Sequence, residues 1–213
     1  MSRSKYLTSE ELLAEEIVTE RRLERVQSVV ANRQRGLMIV MEDVYNPHNL
    51  AAIARSCDAF GVQQIAFTVE DHDLFDPLEL GKVASSSASK WLDYRIFEEG
   101  SRTALTALRL EGWHIAATVV NEKAQSIYDV DFSRFDKLAL LVGNEREGLS
   151  TTSIKLAHSH IYIPMMGMIR SFNVSVATAV TLAEITRQRK ASNRSFTLPP
   201  AEAETLLRDI LHR

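Results

Sequence analysis

The chain has 213 residues, 45% of them apolar and 25% charged, with a formal net charge of −3. That length suits one domain of ~150 residues with extensions, and the composition excludes a disordered, collagenous or coiled-coil chain as a whole. No apolar run approaches the ~18 residues of a membrane span. The opening MSRSKYLTSEELLAEE has no signal-peptide apolar stretch, and the single cysteine, Cys57, cannot form an internal disulfide, so the cytoplasm is the expected compartment.

In chain order, Thr8-Ser9-Glu10-Glu11 reads as a capping box. Leu12, Leu13, Ile17, Leu23, Val26 and Val30 follow at near-helical spacing, which predicts a helix over about 9–33, closed before Gly36. Leu37–Met41 is wholly apolar and suits a strand covered on both faces. Asn46-Pro47 opens the next helix, with Pro where a missing N–H costs little. Leu50, Ile53, Ala54 and Cys57 form its buried stripe, and Gly61 ends it. Gln64–Phe67 is a strand. Ser101 caps a helix to about Glu111, Trp113–Val119 and Leu138–Val142 are strands, and Ser150 caps a short helix to about His158. His160–Ile163 is a strand, and Val176, Ala179, Val180 and Ala183 mark a helix over 175–190. After Pro199-Pro200, Leu206, Leu207, Ile210 and Leu211 line one side of a terminal helix. Strands and helices alternate from 37 to 190, so the fold class is α/β, a mostly parallel sheet with helices on both faces. The partition is an N-terminal helical extension (1–36), a core domain (37–191) and a C-terminal helical extension (192–213).

Charge is unevenly spread. Arg21, Arg22, Arg25, Arg33 and Arg35 crowd the first segment among glutamates. Arg187, Arg189, Lys190 and Arg194 crowd a stretch near the C-terminus, whereas Glu70, Asp71, Asp73, Asp76 and Glu79 sit in mid-chain. Basic termini can bind a polyanion while an acidic loop stays in water. The competing reading is a solvated helix face with neighbouring ion pairs.

Several chemistries are missing. There is no GxGxxG, GxxxxGK[ST] or GxSxG, and Cys57 lies on an apolar helical stripe. His158 and His160 lack the company of a metal site. Three clusters remain. Asn46-Pro47-His48-Asn49 follows a buried strand, where α/β proteins place ligands. Arg55 stands six residues past Asn49, about 120° out of alignment on a helix. Gly143-Asn144-Glu145-Arg146-Glu147-Gly148 follows another strand, and its glycines allow close backbone approach. The third, Ile163 to Ser175, is an unusually apolar loop ending in small polar residues. Loops normally lie in water, so this one is covered by a second subunit or walls a pocket.

EDVYNPHNLAAIARSCDAFGV, LLVGNEREGLS and IPMMGMIRSFNVSVATAVTLAEITRQR resemble, in order and spacing, the three motifs of the SpoU branch of the SPOUT RNA 2′-O-methyltransferases. The resemblance covers about residues 39–190 and is nearest to the TrmH-type tRNA guanosine-2′-O-methyltransferase subgroup. It implies a C-terminal deep trefoil knot, a homodimer, S-adenosyl-L-methionine as methyl donor and tRNA as partner, with a D-loop guanosine as target. The alternatives are 23S rRNA, the tRNA wobble ribose, or a non-catalytic RNA-binding module.

Carried over by motif, the catalytic residues are Arg55, Asn49, Glu145, Ser171 and Asn173. The donor is held around Thr118, Leu141, Gly143, Ile163 and Phe172. RNA capture is expected from Arg22, Arg25, Arg187 and Lys190. Phe172 stands where the family commonly has leucine, and Arg170 where it has glutamine. A guanidinium is a poor base. Arg55 is therefore expected to orient the 2′-hydroxyl and stabilise developing alkoxide while a substrate phosphate or water takes the proton; Arg55 as base is the alternative. Asn49 is expected to hold Arg55 or the ribose, and Glu145 to order its loop and position Asn173. For Ser171 and Asn173 the competing role is capping of the last core helix.

Overall fold

The computed structural model describes residues 18–70 and 89–213. The expected capping box, the first part of the helix from 9, and the acids Asp71, Asp73, Asp76 and Glu79 lie outside the described residues. The chain divides into two compact units, Gly36–Ser195 and the terminal segments through Arg35 and from Phe196 to Arg213.

In the terminal unit, α1 (Glu20–Ala31) is capped by Thr19 and buries Leu23, Val26 and Val30. The last helix, α6 (Pro200–Leu211), buries Leu206, Leu207, Ile210 and Leu211. The two helices pack together. An antiparallel bridge joins Gln34 to Thr197, and the Arg35 N–H donates to the Phe196 carbonyl at 2.6 Å. The two ends of the chain thus share one small core.

The larger unit is a seven-stranded sheet: β1 (Leu37–Glu42), β2 (Gln64–Thr68), β3 (Asp93–Phe97), β4 (His114–Thr118), β5 (Gln125–Ser126), β6 (Leu138–Val142) and β7 (Ser159–Tyr162). Their order is β3-β2-β1-β6-β4-β7-β5, and every pairing is parallel. β6 enters between β1 and β4, and β7 between β4 and β5, after the flanking strands have been laid down.

Alternation along β1 explains its unbroken apolar run. Leu37, Ile39 and Met41 join one core with Leu50, Ile53 and Cys57 of α2 (Pro47–Ala59) and Leu182 and Ile185 of α5 (Val174–Ala191). Met38 and Val40 join the other core with Leu105 and Leu108 of α3 (Gly100–Leu110), which packs beside α4 (Thr151–Leu156). A strand buried on both faces is apolar at nearly every position, and the one acid of β1, Glu42, is at its carboxyl end.

Three local expectations need correction. Ser101 does not cap α3; it sits inside the first turn, fully buried, with its hydroxyl bonded to Glu42 and Thr68. The buried residues of α5 are Val174, Thr178, Thr181, Leu182, Glu184, Ile185 and Arg189, while Val176 and Ala183 are exposed. Threonines can be buried there because their hydroxyls donate to carbonyls one turn back, Thr178 to Val174 and Thr181 to Ala177. β3 and β5 were not expected at all. β3 is only partly buried, and β5 is two residues long; neither makes a pattern long or apolar enough to read.

Candidate active site

The carboxyl ends of the strands carry the site, as the crevice rule for open α/β sheets anticipates. Beyond β1 the chain turns through Asp43, whose φ of 51° is in the left-handed region. Asp43 Oδ1 accepts from the Tyr45 hydroxyl and, at 2.8 Å, from the Glu70 N–H. An Asx side chain that bonds locally is among the few that tolerate this conformation. Asn46 then caps α2 by accepting from the His48 N–H at 2.9 Å, with Pro47 in the first turn.

The three motif segments meet at Asn49. Its Nδ2 donates to Glu145 Oε1, and its Oδ1 accepts from Asn173 Nδ2 at 3.1 Å. Asn173 uses its own Oδ1 to cap α5, accepting from the N–H and hydroxyl of Ser175 at 2.9 and 2.6 Å. The carbonyl end thus fills the capping role, while the amide end bridges to Asn49. Ser171 is exposed and takes no part in the cap. In the motif-two loop, Asn144 Oδ1 accepts from the N–H groups of Arg146 and Glu147, and its carbonyl from Gly148. Gly143 lies against Gly148 so closely that a Cβ would stand 2.2 Å from the Gly148 carbonyl carbon.

Beside this network lies a cavity of about 380 Å³, in the range of small-molecule sites. Ile127, Val142, Leu149 and Ile161 give it apolar walls, and Glu145 and Arg170 bring charge to it. Of the expected donor-binding residues, Thr118, Gly143, Ile163 and Phe172 line it, as do Glu145 and Ser171. Leu141 does not: its side chain is fully buried in the α3-side core, and its carbonyl accepts from the Thr118 hydroxyl at 3.1 Å. Strand alternation turns that side chain away from the cavity. Arg55 is also outside the lining. α2 runs unbroken from Pro47 to Ala59, so the 120° offset persists, with Asn49 buried and Arg55 exposed.

The model for the SpoU rRNA methylase family matches residues 36–183. The chain belongs to that family. It is 37% identical over 173 residues to the tRNA (guanosine(18)-2′-O)-methyltransferase of Thermus thermophilus, covering 80% of this chain and 84% of the relative. The solved TrmH/SpoU tRNA modifying enzyme of A. aeolicus superposes with a TM-score of 0.77 at 30% identity, covering 91% of this chain and 96% of that one. The SpoU methyltransferase AviRb from Streptomyces viridochromogenes, solved in complex with the cofactor AdoMet, superposes at 0.60 with 27% identity, covering 78% and 62%.

Ile127 of this SpoU chain lines the cavity and was missed from sequence; Arg146 and Arg170 line it too, from clusters that the sequence singled out without giving either a role. Glu42, also missed, is 2% exposed; the signal was an acid, followed by Asp43, at the end of an apolar run.

The basic residues divide into exposed and engaged groups. Arg25 and Lys190 are exposed, and Arg22 Nη2 donates to the Leu211 carbonyl at 3.2 Å. Arg187 instead makes a two-pronged pair with Glu184, 2.7–2.8 Å, which lowers the Glu184 carboxyl below its ordinary range. Arg189 is buried and donates to the Gly36 carbonyl at 2.9 Å; burial brings its guanidinium down to about 10. Arg194 pairs with Asp136 and donates to the Ser133 carbonyl at 2.8 Å. Much of the second basic run is therefore engaged within the fold. His160 is also engaged, with Asn121 and the Ile154 carbonyl. No helix among the described residues is long and apolar enough to cross a membrane.

Proposed function

We propose that the chain is an S-adenosyl-L-methionine-dependent methyltransferase acting on the ribose 2′-oxygen of guanosine 18 in tRNA. The observation that carries this is the Asn49–Glu145–Asn173 network, which draws three separated motifs to the rim of one apolar cavity. The Thermus relative's activity names the substrate.

The cavity fits the donor. Its apolar walls suit a nucleoside and a short aliphatic chain, and Thr118, Gly143, Ile163 and Phe172 would hold it. When bound, the group supplies a methyl on a sulfonium, an electrophile that needs no metal. The protein supplies position, worth up to about 7–11 kcal/mol when the bound geometry is near attack. Asn49 fixes Glu145 and Asn173, so the motif-two loop and the start of α5 keep one geometry around the pocket. Arg55 orients the 2′-hydroxyl and stabilises alkoxide with its planar fork, and the proton leaves to a substrate phosphate or water.

A homodimer belongs to this reading. Met166, Met168 and Ile169 are 97%, 100% and 62% exposed beside Phe172. Such an apolar loop is a surface for a second copy, which completes the site around Arg55. We also hold that the chain from β6 onward forms a trefoil knot, supported by the late insertion of β6 and β7. Residues 37–191 are the methyltransferase part, the terminal helices capture RNA, and the reaction is cytoplasmic, where tRNA is found.

The test incubates the protein with methyl-labelled donor and either unmodified tRNA or a 23S rRNA fragment, then maps the label. Label at the 2′-oxygen of guanosine 18, lost when that residue is 2′-deoxyguanosine, is the expected result. Label confined to the rRNA fragment overturns the tRNA assignment, and none in either overturns the enzyme.

A further inference from the structure

Glu42 is a buried carboxylate that no ion pair reaches among the described residues. Its Oε2 accepts from the Ser101 hydroxyl at 2.6 Å and from the Ser153 hydroxyl, and its Oε1 accepts from the Ser150 N–H at 2.5 Å. Thr68 lies 2.8 Å from the Ser101 oxygen. Because Ser101 spends its proton on Glu42, Thr68 is the donor in that contact.

These donors come from two places of different meaning. Ser101 belongs to α3 and only ties β1 to a neighbouring helix. Ser150 and Ser153 close the motif-two loop: Ser150 caps α4, and its Oγ accepts from the Ser153 N–H at 3.1 Å. The loop opens at Gly143, directly after β6, which is held in register against β1 through Met41 and Val142. Its far end is held by Glu42. Between these points Glu145 reaches Asn49, seven residues further along the segment that Glu42 begins. Sheet pairing, the Glu42 anchor and the Asn49–Glu145 bond thus form a closed ring around the loop that walls the cavity.

We propose that Glu42 is a positioning residue for methyl transfer: it clamps the exit of the motif-two loop so that Glu145, Asn49 and the donor-binding wall keep one geometry. This rests on the methyl-transfer reading above. A buried carboxylate is poor evidence of a gain in stability, since well-packed apolar residues usually serve stability as well. What its paired acceptors supply here is direction, because an N–H and two hydroxyls must all point at it. Replacement by an amide turns an NH₂ group toward at least one donor and frees the loop end.

The experiment compares the full-length protein with Glu42→Gln and with the milder Ser153→Ala. Amide hydrogen exchange is followed peptide by peptide, and steady-state constants are measured for each substrate. In Glu42→Gln, exchange across residues 144–150 is expected to quicken at least tenfold, while β6 and the middle of α5 stay protected. The KM for the donor should rise about tenfold to a hundredfold, the range of one missing charge-assisted bond. The kcat should fall, and the KM for tRNA should stay within twofold. Ser153→Ala should shift the same quantities in the same direction by less. If Glu42→Gln does not fold, Ser153→Ala decides alone. A lowered Tm with unchanged loop exchange and unchanged donor KM refutes the proposal and leaves Glu42 a plain structural group. Were the wild-type protein to methylate no RNA, the function would fail, and the exchange measurement would still settle the clamp.

Discussion

Gly143→Ala adds one methyl group at the most crowded point of the site. The new Cβ would stand 2.2 Å from the carbonyl carbon of Gly148, 2.3 Å from its oxygen and 2.5 Å from the Leu149 nitrogen. All three are backbone atoms, so no side chain can swing away. Ordinary contact begins near 3.4 Å, and the loop must retreat by about 1.2 Å. Overpacking of this kind costs about 1–3 kcal/mol of stability. The larger effect is on chemistry. Gly148 and Leu149 border the cavity, and Glu145 lies in the same loop. A misplacement of about 1 Å can cost a hundredfold in rate. We expect kcat on tRNA to fall about a hundredfold and donor affinity, by calorimetry, to fall at least tenfold. Gly112→Ala is the control. It forces alanine into a backbone with φ of +85° and open space around it, far along the chain from the motifs. It should lose about 1–2 kcal/mol to left-handed strain with kcat unchanged. Wild-type donor affinity and kcat in Gly143→Ala would refute the reasoning.

Arg55→Ala should abolish most turnover and leave donor binding nearly intact, because Arg55 is outside the cavity lining; equal losses of both would make it a binding residue. Arg55→Lys should fail too, since a point charge cannot reproduce a planar fork. For RNA capture, replacing Arg22 and Arg25 by alanine should weaken binding and flatten the slope of log affinity against log salt, by about 0.7–0.9 for each phosphate that is no longer neutralised. Replacing Arg187 and Lys190 should flatten it less, because Glu184 already engages Arg187; an unaltered slope in both variants rejects RNA capture by these termini. Stability should decline as pH falls from about 6.5 to about 4. His114 is held down to about 4 by burial and then by His158 and Arg134, so in that window the unfolded chain binds a proton that the folded chain does not. The ring is half-exposed, so solvent screening limits the loss to about 1–2 kcal/mol. His114→Phe, which keeps the 3.8 Å stacking on Phe135, should flatten the dependence of Tm on pH, and an equally steep profile in the variant would count against His114.

Where local chemistry decides, the sequence sufficed. Apolar runs such as Leu138–Val142 became strands with the same ends, because a strand covered on both faces is mostly apolar and carries a polar residue only where partners meet it. Asn46 with Pro47, and Ser150, marked helix starts because their side chains satisfy N–H groups within a few residues. The motif residues stood out as glycines and small polar groups after such strands. Strand order was another matter. Nothing local makes β6 enter between β1 and β4, since on the β1 side that placement pairs residues about a hundred apart, Leu37 with Leu138. Nor could periodicity show that Asn49 joins Glu145 to Asn173, or that Arg189 is buried against the Gly36 carbonyl. Polar groups of that kind are placed by partners far along the chain, since a buried donor or acceptor must find one wherever the fold supplies it. Glu42 is the plainest case: in sequence it is an acid at the end of an apolar strand, and only the packed structure brings Ser101, Ser150 and Ser153 to its carboxylate.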